Sequence, residues 1–149
     1  MTADLEYQYD KYHFRLPADC LYAAYDTWVR VEGDEAVVGI TDFLQTKMGD
    51  IAFAEAPIET SFEQDDILAT LESTKATVDV TAPASGELIA FNEELDEHPE
   101  LINQDPYGKG WIARLRLTDW EGDRAMLLSP EAYLELMKDK VAKAFAEKP

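Results

Sequence analysis

With 149 residues, of which 46% are hydrophobic and 11% aromatic, the chain fits one domain, or one domain with a terminal appendage. Folding such a chain buries roughly 70% of the surface that the unfolded chain exposes. The formal net charge of −18, with 31 acidic residues against 13 basic, repels phosphate backbones and anionic membranes, and so excludes nucleic-acid partners.

No stretch reaches 18 consecutive apolar residues, the length a membrane-spanning helix requires. The opening MTADLEYQYDKYHF is acidic and aromatic, without the basic start and apolar run of a secretory signal, which predicts a cytoplasmic protein. The acid excess predicts a soluble monomer. It serves either to steer basic partners or simply to hold water.

Residues 1–27 are aromatic-rich and broken by Pro17, and read as an N-terminal extension packing on a domain over 28–149. Short helical turns are predicted at Leu5–Tyr12 and Leu21–Tyr25. From Trp28 the pattern alternates: Trp28–Glu32, a Gly33-Asp34 turn and Ala36–Ile40 predict a β-hairpin. Thr41-Asp42 starts a short helix running to Met48, and Gly49 stands where a helix-ending glycine belongs. Strand signals follow at Ile51–Ala56, Ile67–Leu71, Thr77–Val80 and Gly86–Phe91, each bounded by Pro, Gly, Asp or Ser. Asn92–Asn103 is acidic and interrupted by Pro99, which predicts a turn of helix and loop, and Gly110–Leu117 alternates once more. Ser129 caps a final helix with Pro130 at its first position. Tyr133, Leu136, Met137, Lys140, Val141, Ala144 and Phe145 recur along it at helical spacing. Many short strands at close spacing predict a mainly β sandwich or barrel. Val37, Ile51, Leu71, Val80, Ile89 and Ile112 are its expected core.

Few residues offer chemistry. The single cysteine, Cys20, rules out an intrachain disulfide and a Cys-based zinc site, and a buried bystander is a better reading than a catalytic thiol. His13 and His98 share no motif. Paired carboxylates such as Asp65-Asp66 and Glu93-Glu94 could serve acid–base catalysis, but among 31 acidic residues such pairs arise by chance. No metal ligation and no catalytic residue are predicted.

The informative stretch is Ile67–Phe91, ILATLESTKATVDVTAPASGELIAF. Two strands flank Glu72-Ser73-Thr74-Lys75-Ala76, which puts Lys75 at an exposed turn. Pro83, Ser85 and Gly86 follow, Gly86 supplying conformational freedom for a tight turn. A lysine on a hairpin tip followed by Pro-x-x-Gly resembles the lipoyl and biotinyl carrier domains, in which a ligase reads a rigid protruding hairpin. Biotinyl carriers flank the lysine with methionines. Thr74 and Ala76 here favour lipoate.

Further motifs run in order through residues 28–118: Val38-Gly39-Ile40-Thr41-Asp42, Gly49-Asp50-Ile51, Ala82-Pro83-Ala84-Ser85-Gly86-Glu87, Asn92-Glu93-Glu94-Leu95, Pro99-Glu100-Leu101-Ile102-Asn103 and Asp105-Pro106-Tyr107-Gly108-Lys109-Gly110-Trp111. Together they resemble the H-protein family of the glycine cleavage system. The resemblance implies a lipoyl-carrier barrel-sandwich hybrid with a short internal helix and a C-terminal helix. It implies a covalent carrier, not an enzyme. Lipoate would be amide-linked to Lys75, with Glu72, Ser73, Thr74, Ala76 and Asp79 framing the hairpin for the modifying protein. The resulting tether has roughly ten rotatable bonds and a reach on the order of 14 Å. The implied partners are a lipoate ligase, or a lipoyl synthase with its transferase, and the enzymes of a multi-component pathway.

Two places depart from a typical glycine cleavage H protein. Ala24-Tyr25-Asp26-Thr27 stands before Trp28 in place of Glu-His-Glu, and Val78-Asp79 replaces Ser-Asp. In addition, Arg15-Leu16-Pro17-Ala18-Asp19 with Leu21-Tyr22 is similar to the opening segment of lipoate-binding proteins that serve heterodisulfide-reductase-like sulfur oxidation. The sequence thus leans slightly to that carrier. The aminomethyl-carrying H protein of glycine cleavage is the alternative, and an unmodified H-like interaction module a further one.

Overall fold

In a computed structural model, which describes residues 3–146, eleven strands form three antiparallel sheets. The sequence motifs predict most of them. β4 (Thr27–Glu32) and β5 (Glu35–Ile40) pair through the Gly33-Asp34 turn, where Gly33 takes φ +69°. They lie inside a six-stranded sheet of order β3-β4-β5-β11-β10-β7, with β3 at Leu21–Tyr22, β7 at Ser61–Phe62, β10 at Gly86–Phe91 and β11 at Ala113–Leu117. A three-stranded sheet of order β6-β8-β9 is built from Ile51–Glu55, Ile67–Ser73 and Thr77–Thr81.

Helix α1 (Asp42–Met48) ends as its motif predicts: the Thr41 hydroxyl accepts from the Leu44 N–H, and Gly49 closes the helix at φ +77°, ψ −160°. A 3-10 turn over Glu93–Asp96, α2 (Leu101–Gln104) and α3 (Trp120–Asp123) fill the connections. Helix α4 (Pro130–Phe145) starts on Ser129, whose hydroxyl accepts from the Ala132 N–H.

The N-terminal segment differs from expectation. Its first stretch is a β-hairpin, β1 (Leu5–Tyr9) with β2 (Tyr12–Leu16), not a helical turn, and Leu21–Tyr22 is a strand. The reason is period-2 patterning. Leu5, Tyr7, Tyr9, Tyr12, Phe14 and Leu16 turn inward while Glu6, Gln8, His13 and Arg15 turn to water. Asp10 enables the tight connection by taking φ +52°, which aspartate tolerates better than most residues.

Two apolar clusters result. Val29, Ala36, Val38 and Ile40 meet Leu68, Leu71 and Val80 of the smaller sheet in the first. On the other face of β4 and β5, Trp28 and Val37 join Phe14, Leu16, Phe43, Tyr107 and the α4 residues Tyr133, Met137 and Val141. Fully burying each such side chain stabilises the fold by about 1.5–3 kcal/mol. Of the expected core, Ile89 is the exception at 40% exposure. It sits where the β10–β11 register shifts between Leu88 and Ala90, and a bulge residue escapes the alternation that would point it inward.

Gly86 also acts otherwise than expected. It needs no positive φ. Instead, β10 passes so close to β11 that a Cβ there would stand 2.6 Å from the Arg116 carbonyl oxygen.

Candidate functional site

The lysine hairpin is the part of the smaller sheet that sequence placed best. Strands β8 and β9 pair as far as Glu72 opposite Thr77, leaving Ser73–Ala76 as the tip. Ser73 organises it: its N–H donates to the Ala76 carbonyl at 2.8 Å, and its Oγ accepts the N–H groups of Lys75 and Ala76, both at 3.2 Å. The hydroxyl therefore satisfies the two amides that a tight turn leaves without ladder partners. Thr74, Lys75 and Ala76 are exposed, and Lys75 makes no ion pair among the described residues. Glu72 is exposed beside the tip. Asp79 lies further down β9, opposite Thr70, and accepts from its hydroxyl at 3.2 Å.

Sequence reasoning missed the floor under the lysine. The stem of Lys75 lies across Gly49: a Cβ built on that glycine would stand 3.6 Å from Cε and 3.7 Å from both Cδ and Nζ. This brings the ammonium to the carbonyl end of α1, where the helix dipole favours positive charge. Asn103 fixes the floor, donating from Nδ2 to the Gly49 carbonyl at 2.8 Å and accepting the Ile51 N–H on Oδ1 at 2.9 Å. From sequence, Gly49 reads as a helix stop and as part of a motif, and Asn103 only as part of a motif. Their spacing of 54 positions carries no local signal.

The departures before Trp28 have a structural occupation. Asp26 is 8% exposed and takes φ +73°. Its carboxylate accepts from the Tyr133 hydroxyl at 2.7 Å and from Lys140 Nζ at 2.9 and 3.0 Å, while Thr41 Oγ1 stands 2.9 Å from the same tyrosine oxygen. This carboxylate ties α4 to the start of α1 and is already neutralised. Val78 is half-buried and packs on the first core opposite Leu71.

The remaining candidates serve local structure. Asp65 takes φ +76° in the turn before β8, and the Asp66 carboxylate accepts the Glu63 N–H at 2.8 Å. Glu93 and Glu94 are exposed on their 3-10 turn, and both histidines are exposed beside glutamates, His13 near Glu6 and His98 near Glu100. Among the described residues no group of three His, Cys, Asp or Glu is arranged to hold a metal ion.

Burial, and secondarily the charge of Asp19, pushes the Cys20 thiol up to about 12. At pH 8 the folded chain should therefore resist iodoacetamide, whereas the unfolded chain, with an ordinary thiol near 8.5, should be alkylated readily. Mass spectrometry across a urea series should show alkylation tracking unfolding; rapid labelling of the native protein would restore Cys20 as a reactive group.

Comparison with known proteins fits this geometry. The family model described as "Glycine cleavage H-protein" matches residues 20–140. The chain belongs to the glycine cleavage H-protein family. A glycine cleavage system H protein of Rubrobacter xylanophilus is 43% identical over 126 residues, covering 84% of this chain and 97% of that protein. A probable one of Aeropyrum pernix is 44% identical over 128 residues, covering 85% and 89%. The crystal structure of a glycine cleavage system H protein from Mycobacterium marinum matches with a TM-score of 0.71 and 28% identity, over 83% of this chain and 99% of that one. The H-protein fold is the lipoyl-carrier barrel-sandwich hybrid, and H proteins are carriers that act with partner enzymes instead of turning over substrate themselves. Their cofactor is covalent lipoate. The sequence-based lean to sulfur oxidation finds no support among these relatives, whose names all point to glycine cleavage.

Proposed function

We propose that Lys75 is the lipoyl attachment site and that the loaded protein carries the aminomethyl group of glycine cleavage between partner enzymes. The observation that carries this reading is the Lys75 tip itself: an exposed amine, without an ion pair among the described residues, on a turn held by Ser73 and the strand ladder beneath it. These residues fit the group. Lys75 is exposed to an acyl donor, as are its neighbours Thr74 and Ala76, and the exposed Glu72 and Asp79 offer charges by which a modifying protein can register the hairpin. When bound there, lipoate supplies a dithiolane that takes up and releases a group by thiol–disulfide exchange. The chain's own contribution is to hold the hairpin that bears the attachment point still through Ser73 and the strand ladder. Helix α1, whose seven residues span about 10 Å, lies within the tether's reach.

One observation favours the sulfur-oxidation reading as a second possibility. The only carboxylate of the 24–27 segment, Asp26, is committed to Lys140 and Tyr133, and Val78 adds an apolar side chain on β9. Neither offers an unpaired charge to an ammonium group.

Carbon dioxide exchange from glycine separates the two. With purified glycine decarboxylase and the lipoylated protein, exchange is expected close to that of an authentic H protein assayed alongside. Exchange at the level of the unlipoylated control would turn the assignment to the sulfur carrier.

A further inference from the structure

We infer that Phe53 is the docking residue by which the protein that acylates Lys75 recognises the hairpin: it seats in an apolar pocket of that protein whose rim carries lysine or arginine. The inference rests on reading Lys75 as the attachment site.

An irregularity of β6 turns Phe53 outward. Ile51 is buried, and simple alternation would point Phe53 to the same side, into the core. The register instead shifts between Ile51 and Phe53, so Ala52 is an extra residue, and both Ala52 and Phe53 face water. At 56% exposure, Phe53 is the one exposed phenylalanine among the described residues. Its partner across the strands is Glu72, whose own partner on the far side is Thr77, and both are exposed. The ring therefore stands on the outer face of the lysine-bearing sheet, in the last row that spans all three strands before the Ser73–Ala76 tip. The charge around it has one sign. Glu55 and Glu72 are exposed and make no ion pair among the described residues, and Lys75 is the only Lys, Arg or His between residues 48 and 97. An aromatic anchor flanked by carboxylates is complementary to an apolar pocket with a basic rim.

Reach decides which partner this is. An extended lysine carries its Nζ on the order of 6 Å from its own Cα, and acyl transfer needs that nitrogen about 3–3.5 Å from the acyl carbon. There the neutral amine attacks the acyl carbon of a lipoyl adenylate, the bond from that carbon to the phosphate oxygen breaks, AMP leaves, and nitrogen gives up a proton as the amide forms. The row of Glu72 and Phe53 lies roughly 10 Å along the strand from Lys75, so the modifying protein is brought alongside it. An enzyme that works on the finished arm, whose reach is on the order of 14 Å, can act from beyond that row.

Lipoylation kinetics test the inference. With a lipoate ligase and lipoyl adenylate, Phe53→Ala is expected to raise the KM for the protein about tenfold while kcat changes less than about twofold. Glu72→Lys, which sets a cation against the basic rim, should raise KM in the same way. Ile67→Ala is the control: Ile67 is as exposed as Phe53, at 55%, but it begins β8 at the end away from the tip. It should be lipoylated like the wild type. All three variants change exposed side chains, so their urea midpoints should stay close to the parent's, which separates docking from stability. An unchanged KM for Phe53→Ala, an equal rise for Ile67→Ala, or a lower KM for Glu72→Lys would overturn the docking role while leaving Lys75 as the attachment site. A wild-type dimer in sedimentation that Phe53→Ala dissolves, with KM unchanged, would overturn it too and give the face to a second copy of the chain. Peptide mapping that finds the lipoyl group on another lysine would overturn the reading of Lys75 and the docking role together.

Discussion

Lys75→Arg is expected to fold like the parent chain, acquire no lipoyl group, and support no exchange of carbon dioxide with glycine. Arginine keeps the long stem and the positive charge, so the tip should lose little: exposed substitutions of this kind shift stability by about 0.5 kcal/mol or less. What it loses is nucleophilicity. A guanidinium stays protonated throughout the accessible pH range and cannot form the amide. No other lysine should take over. Lys138 is held by Glu135 at 3.2 Å on the face of α4, and Lys140 is committed to Asp26, while Lys109 lies on a loop with no pair of strands to present it. Intact mass after expression with a lipoate ligase decides the matter. A lipoyl increment on the arginine variant would mean that the attachment site lies elsewhere.

Trp28→Ala should produce the largest loss of stability of any single truncation discussed here, about 3–5 kcal/mol. That is a large share of the 5–15 kcal/mol typical of a whole domain. The side chain is 0% exposed, and its ring lies where a Cβ on Gly39 would come within 2.6 Å of it. Neighbouring β5 has thus given up a side chain to make room. The ring also packs on Tyr107, 5.8 Å between centroids, and carries the Arg30 guanidinium 5.1 Å above its face. Truncation removes these contacts together and orphans the Pro106 carbonyl, which accepts from Trp28 Nε1 at 3.1 Å. Urea denaturation should show a lower midpoint with the slope unchanged. A loss under about 1 kcal/mol would mean that the second cluster relaxes into the space, and that the ring is not what holds β4 against the α4 side.

The second prediction rests on contacts of Trp28 with Gly39, Tyr107 and Pro106 that come from the tertiary structure, whereas the first concerns a feature visible in the chain before any coordinates. Local rules explain why. The Gly33-Asp34 turn, the Thr41 and Ser129 caps and the Lys75 hairpin are each specified by residues within a few positions of one another, through dihedral preference, side-chain capping or strand alternation. The N-terminal hairpin was equally local, since Leu5 to Leu16 alternate faithfully. Aromatic residues at short spacing also suit a helix turn, and only the docking of that face on Phe43 and Phe145 decides between them.

What the tertiary structure alone decided lies at contacts between distant segments. Asp26 reads only as part of the departure before Trp28 until Lys140, 114 positions away, is seen to neutralise it. Gly86 reads as a turn residue until the Arg116 carbonyl oxygen is found standing 2.6 Å from where its Cβ would be. Gly49 reads as a helix stop until the stem of Lys75 is found resting on it. For the two glycines a short-range rule already gave a sufficient role. The second role comes from a neighbour brought close by sheet packing, and packing depends on shape and burial over the whole chain, which no window of sequence contains.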